Sequence, residues 1–134
     1  MLIDAADDNK PPRVKPRIVA APKIRNIYWC DLPKDAQLPE LWKVRPVIVV
    51  SYRNTLHGIV TAIATSTFPQ DQNPFSVRLA TEIEKGRQSW AICDKPLTIA
   101  TSRLRQFHGA VPRLPEPEFH ALLAKLLDWL PKLP

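Results

Sequence analysis

Apolar residues fall along this chain in short blocks cut by prolines and polar turns, and only the last block repeats at helical spacing. The densest block, residues 47–50, is an unbroken β-branched run, which suits a strand covered on both faces or the wall of a barrel. Arg45 and Pro46 stand directly before it. Proline lacks an N–H and biases the residue before it toward extended geometry, so this pair opens a strand and does not continue a helix. Around that block the same reading predicts strands over 24–31, 58–65, 75–79, 89–93 and 97–100. In 75–79, Phe75, Val77 and Leu79 alternate with Ser76 and Arg78, as a half-buried strand requires.

Residues 116–130 carry the one strong helical pattern. Phe119, Leu122, Leu123, Leu126 and Leu130 make a single apolar stripe, widened by Leu127. Pro115 and Pro117 suit the helix start, Glu116 and Glu118 complement its positive end, and Pro131 stops it. Short strands followed by one terminal helix indicate a mainly β fold: a small antiparallel barrel or curled sheet capped by that helix. Residues 1–23 show neither period. With Asp4, Asp7 and Asp8, then Pro11, Pro12, Pro16 and Pro22 among basic residues, they are expected to form a flexible or extended arm before a domain at 24–134.

Composition narrows the partners. A chain of 134 residues is long enough for one real core, and a net charge of +6 favours an anionic partner, of which nucleic acid is the commonest large example. No apolar run approaches the roughly 20 residues of a membrane span, and the acidic start lacks the basic and apolar regions of a signal peptide, so a cytoplasmic protein without membrane contact is expected. Cys30 and Cys93 lie in strand-like apolar surroundings, where a free thiol behaves as a small hydrophobe.

The candidate chemistry emerges by elimination. His57, His108 and His120 are far apart and none belongs to a zinc-type Cys/His pair; three scattered glycines make no phosphate-cradling loop. No metal and no cofactor are therefore expected. Arginine, hydroxyls and one carboxylate remain. Cleaving RNA without metal requires help removing the 2′-OH proton, stabilisation of charge at phosphorus, and help for the leaving 5′ oxygen. Arg45 fits the second task, because its planar fork offers parallel donors to two phosphate oxygens. Thr65 and Ser66, followed by Thr67 at the end of a predicted strand, can donate to the same oxygens, and Asp94 can accept a proton or orient Arg45. Each has a plainer reading: a salt bridge between Arg45 and Glu40, a polar strand end, and a turn residue before Pro96. For Arg45 and the hydroxyls, residue chemistry alone favours the plainer one.

From about residue 24 onward the chain resembles the PemK/MazF toxins of bacterial type II toxin-antitoxin systems. The resemblance rests on Ile27-Tyr28-Trp29 with Asp31, on Arg45-Pro46-Val47, on Ala64-Thr65-Ser66, on Cys93-Asp94 with Pro96, and on Pro117. It implies an SH3-like or CcdB/PemK-like barrel, usually a homodimer, that cleaves single-stranded RNA such as mRNA at short sequences. The implied products carry 2′,3′-cyclic phosphate and 5′-OH ends, formed without metal or cofactor. The implied partner is a small, often acidic cognate antitoxin, whose complex with the toxin binds DNA. By position, the resemblance assigns Arg45 to the scissile phosphate, Thr65 to its assistance, Glu40 to the acidic loop residue and Asp94 to proton transfer or orientation. Some relatives carry an arginine where this chain has Ile92 and a histidine where it has Pro39, which brings His57 forward as a substitute. Trp42, Phe68 and Phe75 are candidate stacking platforms, and Lys43, Arg53, Lys95, Arg103 and Arg105 candidate phosphate contacts. A non-catalytic CcdB-like toxin that binds a protein such as DNA gyrase, or a plain nucleic-acid-binding barrel, is the alternative.

Overall fold

A computed structural model describes residues 9–134. Among these residues seven strands precede one helix: β1 (Ile27–Cys30), β2 (Arg45–Val49), β3 (Ile59–Ser66), β4 (Ser76–Leu79), β5 (Ser89–Ile92), β6 (Leu97–Ala100), β7 (Leu104–Arg105) and α1 (Glu116–Trp129). The mainly β expectation is met, with element bounds shifted by up to three residues. The strand predicted from residue 24 begins only at Ile27, because Arg25 takes a left-handed φ of 74° that interrupts extended backbone. Strand β7 and the 3₁₀ turn before it, Thr101–Arg103, are too short to leave a period in the sequence.

Among the described residues all pairings are antiparallel, and β3 is the hub. One edge of β3 pairs with β2; along the other, β6 takes the first half and β5 the second. On the far side of β2 lie β1 and then β7. Only the three residues of the 3₁₀ turn separate β6, paired with β3, from β7, paired with β1. So short a link forces β3, β2 and β1 to curl until their outer edges meet, which makes the sheet a barrel. Alternation then sorts the side chains. Tyr28, Cys30, Val47, Val49, Val60, Ala62 and Leu104 fill one buried cluster. Ile27, Ile48, Ile63, Leu79 and Ala91 face the opposite way, against Leu114 and the helix residues Phe119 and Leu122.

Glu118 does more than complement the helix start. Its carboxylate accepts the Ala80 and Thr81 amides at 2.7 and 2.9 Å, and the Thr81 hydroxyl as well, tying α1 to the end of β4. Both cysteines are free and buried, and burial pushes each thiol up to about 12.

The described part of the arm lies along the barrel. Ile18 is 4% exposed within the first cluster, the Val19 amide donates to Gln106 Oε1, and Arg17 reaches Asp31 and the Ser102 carbonyl. The acidic start, Asp4, Asp7 and Asp8, lies outside the described residues. Among the described residues no helix is long and apolar enough to cross a membrane.

Candidate active site

Arg45 opens β2 because Pro46 cannot donate to the ladder and because Lys43, next to last in the preceding loop, takes a φ of 64° that turns the chain sharply toward the strand. Its register partner on β1 is Cys30; on β3, continuing from Val47↔Ala64, it is Ser66. Arg45 as a residue is 9% exposed. Nε donates to the Trp42 carbonyl at 2.9 Å and an Nη to the Thr65 carbonyl at 3.4 Å. Among the described residues no carboxylate forms an ion pair with it, so the expected bridge to Glu40 is absent. Burial lowers its pKa from the ordinary arginine value, in the direction of a cation short of solvent.

The two neighbouring hydroxyls play different parts. Thr65 is 1% exposed, and its Oγ1 donates to the Pro46 carbonyl at 3.0 Å, so its proton is committed to holding β3 against β2. Ser66 Oγ accepts the Phe68 amide at 3.1 Å, a role that leaves the hydroxyl proton to be donated elsewhere. Thr67 follows, half-buried, and Phe68 is 74% exposed. Trp42 is 51% exposed on the other side of Arg45, with Lys43 Nζ 5.7 Å from its ring centre. An apolar cleft of about 500 Å³, lined by Leu32, Leu38, Trp42 and Val44 among others, opens beside Trp42 in the β1–β2 loop. Exposed Glu40 sits in that loop, accepting the Gln37 amide at 2.9 Å.

Other predicted residues lie elsewhere. Asp94 follows β5, and its Oδ1 accepts from Asn73 Nδ2 at 3.0 Å. Continuing the β3–β5 register, it falls level with Ala62, where β6 takes over the pairing. At about 3.3 Å per residue and 4.8 Å per strand, that places it roughly 15 Å from Arg45 along the sheet. Exposed Lys95 is beside it. Arg53 and His57 occupy the turn that closes the β2–β3 hairpin, whereas Arg45 and Ser66 are at its open end, so His57 is not beside the arginine. Arg103 is held at the Asp31 carbonyl, beyond β1. Phe75 is half-buried, with its carbonyl bound to the Cys93 amide. Among the described residues no three His, Cys, Asp or Glu side chains are grouped as a metal ion would need.

Two residues escaped the sequence reading. Trp90 pairs with Ser66 on one side and with Arg78 on the other, and all three share the face of Arg45. The signal was present in the alternation of 89–93, but the partner strand that gives it meaning is set only by the fold.

Comparison with known proteins agrees with this architecture. A family model described as PemK-like, MazF-like toxin of type II toxin-antitoxin system matches residues 23–130. The fold is similar to that of a MazF from Deinococcus radiodurans, with a TM-score of 0.66 at 20% identity over 81% of this chain and 94% of the other. An endoribonuclease in complex with its cognate antitoxin, from a mycobacterial species, gives 0.60 at 19% identity over 84% and 100%. The Mycobacterium tuberculosis toxin MazF-mt6 gives 0.57 at 19% over 78% and 95%. No curated protein sequence matches the chain. With the family model spanning most of the sequence and the barrel shared with solved MazF proteins, the chain belongs to the PemK-like, MazF-like toxins of type II toxin-antitoxin systems.

Proposed function

We propose that this toxin is a sequence-selective endoribonuclease that cleaves single-stranded RNA without a metal, leaving 2′,3′-cyclic phosphate and 5′-OH ends. The observation that carries the reading is Arg45: a buried guanidinium at a strand mouth, bonded only to carbonyls and lacking a carboxylate partner among the described residues. A buried cation left uncompensated is costly, and a phosphate that replaces the missing counter-charge recovers that cost on binding. In the reaction the ribose 2′ oxygen attacks phosphorus, the bond from phosphorus to the 5′ oxygen breaks, and the charge growing on the non-bridging oxygens faces the Arg45 fork. Ser66, opposite Arg45, donates its hydroxyl proton to the same oxygens, while Thr65 fixes the strand that carries both. The 2′ proton leaves to a carboxylate, and the departing 5′ oxygen takes up a proton from solvent water. Glu40 lies in the loop that Arg45 itself anchors through Trp42, and Asp94 across the sheet; pH–rate profiles of Glu40→Gln and Asp94→Asn separate them.

The family setting supplies the partners of the proposal: a homodimer, and a small acidic antitoxin that competes with RNA for the same cations. One relative is described as an endoribonuclease with its cognate antitoxin, which supports the pairing by likeness. The test is to incubate antitoxin-free protein with long single-stranded RNA in excess EDTA and map the ends. Cuts at a short recurring sequence with cyclic phosphate termini are expected. Intact RNA with folded protein refutes the activity; cuts that need a divalent ion refute the metal-free mechanism.

A further inference from the structure

Across the open end of the β2–β3 hairpin the register aligns Arg45, Ser66, Trp90 and Arg78 on four neighbouring strands, with their side chains on one face of the sheet. Trp90 is half-buried, so part of its indole reaches the surface. Two positions on along β5, Ile92 is 3% exposed and shares the face of Trp90 by strand alternation. Arg78 is exposed, its Nε bonded to Gln88 Oε1 at 3.2 Å. An indole set between two arginines and a hydroxyl suits a ligand with an apolar ring and flanking negative charge. A nucleotide strand has both.

We infer that Trp90 is the stacking platform for a nucleobase adjacent to the scissile phosphate, with Arg78 holding a neighbouring phosphate. This rests on the endoribonuclease reading and adds a binding residue to it. Adjacent strands are about 4.8 Å apart, so Trp90 stands roughly 10 Å from Arg45 and Arg78 about 5 Å farther. The substrate therefore crosses β2, β3, β5 and β4 in turn rather than running along them. Stacking accepts every base, because every base has a π-face, so Trp90 supplies affinity and position and leaves sequence choice to groups at the base edge.

The test uses a short RNA spanning a cut site mapped with the wild-type protein, made uncleavable by a 2′-deoxy sugar at the cut. Trp90→Leu is expected to weaken its binding by roughly 5- to 150-fold, the range of one lost base–aromatic stack, and Trp90→Phe to stay close to wild type. Indole emission should be quenched when this RNA binds the wild type, and that quenching should fall in Trp90→Phe to the share contributed by Trp42 beside Arg45. The fluorescence comparison stands even if Trp90→Leu does not fold. Wild-type affinity in folded Trp90→Leu, or quenching undiminished in Trp90→Phe, overturns the assignment while cleavage by the wild type stands. A wild type that cleaves no RNA overturns the endoribonuclease reading and this inference with it.

Discussion

Asp31 and Arg45 lie one residue apart in the β1–β2 register, yet their charges are handled in opposite ways. Asp31 is closed: Arg17 reaches it at 2.6 Å and Arg105 at 3.3 Å, while Arg103 binds its carbonyl. The hydrogen bond from Arg17 is the main reason its carboxyl lies below the ordinary value, with Arg105 acting in the same direction. Arg45 is open, more deeply buried, and bonded to two carbonyls that bring no formal charge. The carboxylate beside it in the register is already occupied by two other arginines. A paired arginine near the surface is architecture worth little energy, whereas a buried arginine without a counter-charge among the described residues is costly, and the phosphate of the proposed reaction would offset that cost.

The largest effect is expected from removing the open charge. In Arg45→Ala the cleavage rate should fall by about 10²- to 10³-fold, the loss typical of one preorganised donor to a developing oxyanion. The thermal midpoint should stay at or above the wild-type value, because the buried unpaired cation goes too. Arg45→Lys should be nearly as inactive, since an ammonium keeps the charge and loses the fork. A cleaving Arg45→Ala protein, or one that unfolds for want of the arginine, would place Arg45 in the same class as Arg17.

A smaller effect distinguishes the two hydroxyls beside it. Ser66→Ala should slow cleavage about tenfold, as removal of a single neutral donor of about 1.5 kcal/mol implies, at little cost in stability, because the Phe68 amide it releases is exposed to water. Thr65→Val should instead lower stability by about 1 kcal/mol, because the Pro46 carbonyl loses its side-chain donor. Unfolding curves and single-turnover rates on both proteins check this. The reverse pattern would return the catalytic hydroxyl to Thr65.

How much of this was legible depends on whether a residue's meaning is local. The β-branched run of β2, the alternation of β4 and the apolar stripe of α1 are local, so their elements could be read directly. Arg45 was recognisable as a strand mouth because Pro46 marks it in sequence. Trp90 was not, since its importance comes from pairing with Ser66 across more than 20 residues of chain. His57 misled in the opposite way: sequence proximity to β2 brought it close, but a hairpin separates its closed turn from its open end by the length of β3, eight residues or about 26 Å if straight. Arg17 was counted among the basic residues of an arm without period, and its partner Asp31 became visible only once the fold brought the arm against the segments that flank β1 and β7.

The closed side of the comparison makes the smallest prediction, and its sign is fixed. Because the folded carboxyl of Asp31 lies below its ordinary value of 3.8, its contribution to stability is complete well above that pH and disappears as pH falls through the lowered folded value. Asp31 is 36% exposed in its side chain, so solvent screening keeps the contribution to about 0.5–1 kcal/mol. The thermal midpoint of wild type should therefore exceed that of Asp31→Asn by a constant small amount from pH 7 to 5. The difference should narrow below about pH 4 and vanish at lower pH. Comparing the two proteins cancels the other carboxylates that titrate in the same range. Cleavage by Asp31→Asn should remain near the wild-type rate, since the charge removed belongs to Arg17 and Arg105. A large loss of cleavage would mean that Asp31 acts on Arg45 after all, and that the two charges form one network.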